Sequence, residues 1–168
     1  MYTFQEQLKK GQAVEQRVIQ MLEGLGKPLK LAEMVDQRRG IDCFVGEYSL
    51  EIKSDFKAKQ TRNFYLEIEL PQDKLGWVIS CQADRLVLVC GDNLLFTTPD
   101  YLRSKIEHWK SRYPIKTCHN ANGYWSKGVL VPCKEVNGES LSWNESMVRL
   151  SKIFDVGFNP KLAKCYQY

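Results

Sequence analysis

Residues 36–63 read DQRRGIDCFVGEYSLEIKSDFKAKQTRN, and the fold follows from where the turn in this stretch falls. Gly46-Glu47 separates two short extended runs. In the second, Tyr48 to Lys53, side chains alternate, so Leu50 and Ile52 point to one face and Ser49, Glu51 and Lys53 to the other. With Gly46-Glu47 as a two-residue hairpin loop, Val45 stands opposite Tyr48, Phe44 opposite Ser49, Cys43 opposite Leu50 and Asp42 opposite Glu51. Like charges directly opposed destabilise a sheet, since cross-strand Cβ atoms are only about 4.5–5.5 Å apart. Either both acids face water, or the pair needs a compensating cation. A divalent metal beside Lys53 meets that need, and hard oxygen donors with neither thiolate nor imidazole suit magnesium, manganese or calcium rather than zinc.

With 168 residues, 43% of them hydrophobic and 26% charged, the chain has the make-up of one globular domain over residues 1–168. Its expected core covers about 1–111, with a C-terminal strand and helix extension over about 112–168. No run of eighteen apolar residues occurs and MYTFQEQLKK is polar, so neither a membrane span nor a secretory signal is expected, and the expected location is cytoplasmic. Six cysteines, at positions 43, 81, 90, 118, 133 and 165, form no CxxC pair and several sit in apolar runs, the pattern of reduced, buried thiols. The net charge of +4 is unevenly spread: Arg38, Arg39, Lys53, Lys57, Lys59 and Arg62 fall within 25 residues. A basic apron around an acidic pocket suits a polyanion whose phosphate must reach a bound metal, although charge runs are also ordinary solvated loops.

Thr3 to Glu6 has capping-box spacing, and a helical period then runs over about 4–23 until Gly24 and Gly26. Its stripe is Phe4, Leu8, Gly11, Glu15, Val18, Leu22, which puts Glu15 where an apolar residue is expected. Such an acid either finds a buried partner or reaches solvent from the edge of the stripe. Pro28 to Val35 reads as extended and Asp36 to Gly40 as a polar loop. Asn63 to Leu70 alternates cleanly, with Phe64, Leu66, Ile68 and Leu70 on one face; Glu67 or Glu69 approaches the acids, or both simply line a half-exposed strand. Apolar stretches follow at Trp77 to Ser80 and Arg85 to Cys90, then a turn at Gly91-Asp92 and a strand from Asn93 to Thr97. Thr98-Pro99-Asp100 opens a helix over about 99–111. Tyr113 to Lys127 reads as a polar surface loop, Gly128 to Pro132 as a short strand, and Ser142 to Glu145 as the capping box of a last helix that ends near Phe154, with Gly157 as its stop. His108, Cys118, His119 and Cys133 match no familiar zinc spacing.

Glu15 on the first helix, Gly40-Ile41-Asp42, and Glu51-Ile52-Lys53 on the next strand together resemble the PD-(D/E)XK nuclease superfamily. The order of helix acid, strand acid and ExK is similar to that of Holliday junction resolvases, a homing endonuclease group and small phage-type endonucleases. Residues 53–67, Gly76-Trp77 and Ala83-Asp84 also look like the phage-type members. Ile41 stands where the family name has proline. The resemblance covers about the first 100 residues. It implies an α/β fold with a restriction-endonuclease-like core, a central mixed β-sheet flanked by α-helices, with metal held at one edge. It implies Asp42, Glu51 and the Ile52 backbone carbonyl as ligands of Mg2+, for which Mn2+ would substitute, and Glu15 as ligand of a second metal or a metal-bound water. Lys53 would orient the attacking water and stabilise charge on the phosphate, giving a metal-dependent DNA endonuclease that leaves a 5′-phosphate. Arg38, Arg39, Lys57, Lys59, Arg62 and Asn63 would contact duplex or branched DNA, and the chain would act as a homodimer or higher symmetric oligomer, because two strands need two sites. A structure-selective junction resolvase and a non-catalytic nucleic-acid-binding protein that keeps the fold are the alternatives; against the second, a scaffold without chemistry has no need of a repulsive acid pair.

Overall fold

The structure, a computed structural model, describes residues 4–119, 123–143 and 147–155. Helix α1 spans Phe4–Glu23, the range its period predicts; the capping residue Thr3 lies outside the described residues. Among the stripe's described side chains, burial is complete only at its C-terminal end. Val18 and Leu22 are fully enclosed, whereas Leu8 is 50% exposed, so α1 docks through its C-terminal turns.

Strand β1 (Leu29–Leu31) leads into a single helical turn, α2 (Met34–Gln37), where an extended run to Val35 and a polar loop were expected. Strands β2 (Cys43–Val45) and β3 (Tyr48–Ser54) pair Cys43 with Leu50, Phe44 with Ser49 and Val45 with Tyr48, the register read from the sequence. Gly46 takes φ of 60°, the left-handed conformation that a two-residue hairpin loop demands and glycine adopts without a steric cost. After α3 (Ala58–Thr61), β4 spans Asn63–Leu70, again as predicted. Strand β5 (Lys74–Leu75) follows, and the apolar stretch Trp77–Ser80 is a helical turn, α4. Strands β6 (Arg85–Cys90) and β7 (Asn93–Thr97) form the next hairpin. Helix α5 (Pro99–Arg112) begins as the sequence foretells: the Thr98 side chain accepts from the Tyr101 N–H, with Pro99 in the first turn.

The segment 113–127 departs from expectation. It holds β8 (Ile115–His119) and the start of β9 (Trp125–Pro132), which pair antiparallel. Every residue of β8 is exposed, so no apolar alternation marked it; backbone pairing makes the strand. A 3-10 turn at Cys133–Glu135 and β10 (Glu139–Ser142) follow. Ser142 therefore ends a strand on β7 instead of capping a helix, and α6 runs Met147–Asp155. Asn144, Glu145 and Gly157 lie outside the described residues.

The strands form two sheets, β1-β2-β3-β6-β7-β10 and β5-β4-β9-β8. The first is mixed: β3 and β6 run parallel and its other pairs antiparallel. On one of its faces Leu50, Ile52, Val87, Val89 and Phe96 pack with Val18 and Leu22 of α1 and Ile153 and Phe154 of α6. On the other, Leu86, Leu88 and Leu95 meet Phe64, Leu66, Val129 and Val131 of the second sheet and Leu102, Ile106 and Trp109 of α5. Each such side chain contributes roughly 1.5–3 kcal/mol by leaving water. The fold is thus α/β with a mixed central sheet flanked by helices, and β9 and β10 draw the chain beyond residue 111 into both sheets. Among the described residues five cysteines form no disulfide; Cys43, Cys81, Cys90 and Cys133 are buried and Cys118 is exposed, against the expectation for that residue, because β8 is an edge strand. Cys165 lies outside the described residues.

Candidate active site

Strand β2 is three residues long and β3 seven, so β3 loses its neighbour on that side after Leu50. Asp42, just before β2, fills the vacancy left in the ladder. Its Oδ2 accepts the Ile52 N–H at 2.7 Å, while its own N–H donates to the Leu50 carbonyl at 2.8 Å and its carbonyl accepts from Ala32 N–H at 3.0 Å. A side chain here takes the part of a strand and is locked in place by it.

Glu51 is next to it and only 2% exposed. Alternation sends Leu50 and Ile52 into the core beneath α1, and sends Glu51 and Lys53 to the face that the second sheet covers. Lys53 forms an ion pair with Glu51, and its side chain keeps 37% of its exposure. Burial, opposed by Lys53 and reinforced by Asp42, pushes the Glu51 carboxyl up to about 7. Burial pulls the Lys53 ammonium down, but the charge and hydrogen bond of Glu51 and the charge of Asp42 outweigh it, and its pKa stands above the ordinary lysine value. Glu15 comes from α1 to the same place. It is half-buried, and burial first, then Asp42, raise its pKa against the pull of Lys53. Gly11, one turn earlier, lies over Ser54: a Cβ there would stand 3.9 Å from the serine hydroxyl.

Two further groups belong to this cluster. Glu67 of β4 feels the Lys53 ammonium and accepts from the Ser126 hydroxyl and the Trp77 N–H, while burial raises its pKa. Glu69 does not reach: a bulge separates it from Glu67, and it pairs with Lys127 at 3.1 Å. Alternation alone treats the two glutamates as equivalent; the bulge is what distinguishes them. Cys81, to which the sequence assigned no role, donates its thiol to the Gly40 carbonyl at 3.3 Å and lies within the fields of Glu51 and Lys53. Burial drives its pKa to about 11 and that of Cys43 to about 12, so neither supplies a thiolate at neutral pH.

The predicted DNA contacts are more dispersed. Arg38 is exposed at the end of α2; Arg39 donates to Gln82 at 2.9 Å and lies 3.7 Å from Asp36. Lys57 precedes α3, and Lys59 is paired with Asp92 at 2.8 Å, directing it to the β6–β7 turn. Arg62 takes φ of 58° at the end of α3, and Asn63 opens β4 with its amide donating to the Thr61 carbonyl at 2.6 Å. Residues 36–63 carry six Lys or Arg against five acids, so the apron is close to neutral as a whole. A cavity of about 340 Å³ near Glu69, Lys74 and Ile106 contains no member of the acid cluster.

Whether these residues suit a divalent cation can be judged from their charge balance. Glu15, Asp42, Glu51 and Glu67 share one ammonium, Lys53, and Glu15 and Glu51 are both pushed up, the condition a hard cation relieves. Among the described residues no three His, Cys, Asp or Glu side chains form a ready metal cage; in this arrangement Glu51 is turned onto Lys53. The donor set fits magnesium or manganese in kind. The chain matches no protein-family model, no curated protein and no solved structure.

Proposed function

We propose that the chain is a metal-dependent endonuclease that hydrolyses DNA phosphodiester bonds, built on a restriction-endonuclease-like core. One observation carries this reading. Acids from three separate elements, α1, the approach to β2, and β3, converge on a single lysine at a break in a sheet; Asp42 also completes the ladder there, but the buried Glu51 and the inward Glu15 cost stability that packing does not require. Asp42, Glu51 and the Ile52 carbonyl would hold Mg2+, with Glu15 behind them. When bound, the ion would supply positive charge to a phosphate oxygen and lower the pKa of a water. Lys53, whose raised pKa keeps it protonated at neutral pH, donates to the attacking water and to the phosphate oxygens as negative charge builds on them. Water oxygen bonds to phosphorus and releases a proton to solvent, the bond to the 3′ oxygen breaks, and that oxygen takes a proton from solvent to leave as a 3′ hydroxyl, so the product carries a 5′-phosphate. A pair of chains would cut both strands.

The test is cleavage of supercoiled plasmid, linear duplex, single strands and a four-way junction, in magnesium and in chelator, by wild type, Glu51→Ala and Lys53→Ala. Magnesium-dependent nicking that both variants lose is expected. A wild type that cuts nothing, or variants that cut as well as wild type, ends the proposal; preference for the junction would make the enzyme a resolvase.

A further inference from the structure

The positive charge of the chain is concentrated away from the acid cluster in sequence. Residues 101–134 contain seven Lys or Arg and one acid, Glu107, a surplus of six where the whole chain has four. The remaining residues are net acidic by two. Six of the seven cations fall on α5, β8 and β9 and Lys134 on the 3-10 turn; Arg103, Lys110 and Lys127 are paired with Asp100, Glu107 and Glu69, and the strand register brings Lys116 onto the face of the second sheet that carries Glu67. Glu67 pairs with Gly128, and Gly128 with Lys116; cross-strand partners present their side chains to the same face of a sheet. Ser126, two residues from Gly128, shares that face and reaches Glu67 with its hydroxyl. The Tyr65 ring covers Gly128, where a Cβ would come within 2.6 Å of it, and the Tyr65 hydroxyl donates to the Ser126 carbonyl at 2.8 Å. A strip of side chains therefore runs on this face of the second sheet from Glu67, which feels the Lys53 ammonium, through Tyr65 to Lys116, at an edge strand exposed along its whole length.

We propose that this strip is the track on which a nucleic-acid backbone lies as it enters the acid site. It deepens the phosphodiesterase reading above and rests on it. Lys116, and Arg112 exposed at the end of α5, hold phosphates; Tyr124, 49% exposed beside the start of β9, offers a flat face to a base. A polyanion is the fitting occupant because the strip joins a strongly basic segment to a site whose chemistry is directed at phosphate, so one bound chain satisfies both.

The experiment uses full-length Lys53→Ala protein as the parent, and measures duplex and single-strand binding from about 50 to about 300 mM salt for Lys116→Gln, Arg112→Gln, their double variant, a Lys116→Arg rescue and Lys30→Gln on the far edge strand. Taking one cation away from a phosphate flattens the slope of log affinity against log salt by about 0.9 for duplex. The double variant should flatten it by nearly twice that and bind about tenfold more weakly at low salt, with Lys116→Arg and Lys30→Gln close to the parent. An unchanged slope overturns the track. So does a double variant that loses binding to phosphatidylserine vesicles but not to DNA, which makes the surface a lipid-binding one. If wild type cleaves DNA and Lys116→Gln and Arg112→Gln in that background leave KM unchanged, the track fails and the nuclease stands. If the parent binds DNA with the predicted slopes while wild type cleaves nothing, the nuclease fails and the track stands.

Discussion

Replacing Glu51 by glutamine should make the protein more stable at alkaline pH than at acid pH relative to wild type. Glu51 is almost fully enclosed, and its carboxyl is pushed from 4.5 up to about 7, by burial first, with Lys53 opposing and Asp42 adding. The folded state therefore holds a proton that the unfolded state has released. For an acid whose folded pKa is raised, the stabilisation is fully present below about 4.5 and is lost as pH climbs through about 7. A gap of about 2.5 units, at about 1.36 kcal/mol per unit, amounts to at most about 3 kcal/mol. Glutamine does not ionise, so urea unfolding of the two proteins at several pH values between about 5 and about 8 should show the variant gaining on wild type by roughly 2–3 kcal/mol across that range. Glu15, also raised, is present in both and cancels in the difference. Magnesium at about a hundred times its dissociation constant should return about 2.7 kcal/mol to wild type at the alkaline end and little to the variant. Two parallel stability curves would refute the electrostatic account of the cluster, whatever the activity.

Lys53→Ala should lose cleavage by about a hundredfold or more while still binding DNA, because it acts on charge that develops in the reaction; filter binding beside a nicking assay separates the two. Lys57→Gln, Lys59→Gln and Arg62→Gln should weaken DNA binding and flatten its salt dependence, and an unchanged slope removes that loop from the interface. Gly76→Ala should lower the melting temperature, since the new Cβ would lie 2.4 Å from the Glu67 carbonyl carbon and oxygen, a backbone clash worth about 1–3 kcal/mol or more. Asp55→Ala should cost about 1–3 kcal/mol in denaturant unfolding, because its carboxylate accepts from the N–H groups of Lys57, Ala58 and Tyr65 at 3.0, 3.0 and 2.9 Å and so ties α3 to β4.

Local chemistry alone determined a good deal. The left-handed glycine at 46 and the alternation on either side of it settle the hairpin register, which is why Asp42 and Glu51 come together as the sequence implies. The period of α1, the bounds of β4 and the Thr98-Pro99 start of α5 are likewise legible, because each is governed by residues within a few positions of one another. The inward face of Glu15 is legible as an anomaly in a stripe, but not the partner it meets.

Tertiary structure decided the rest. Strand β8 is invisible in sequence because an exposed edge strand buries nothing, and only hydrogen bonding to β9 forms it. The pairing of β4 with β9 separates Glu67, which feels Lys53 from 14 residues further along the chain, from Glu69, which the bulge sends to Lys127. Spacing cannot tell them apart, since a bulge changes which face a residue takes without changing its residue type. Cys81 meets Gly40 across 41 positions. The sequence determined which residue types stand in the hairpin and on which side; folding determined how many acids one lysine must serve, because proximity through space, and with it the shift in each pKa, is a property of packing.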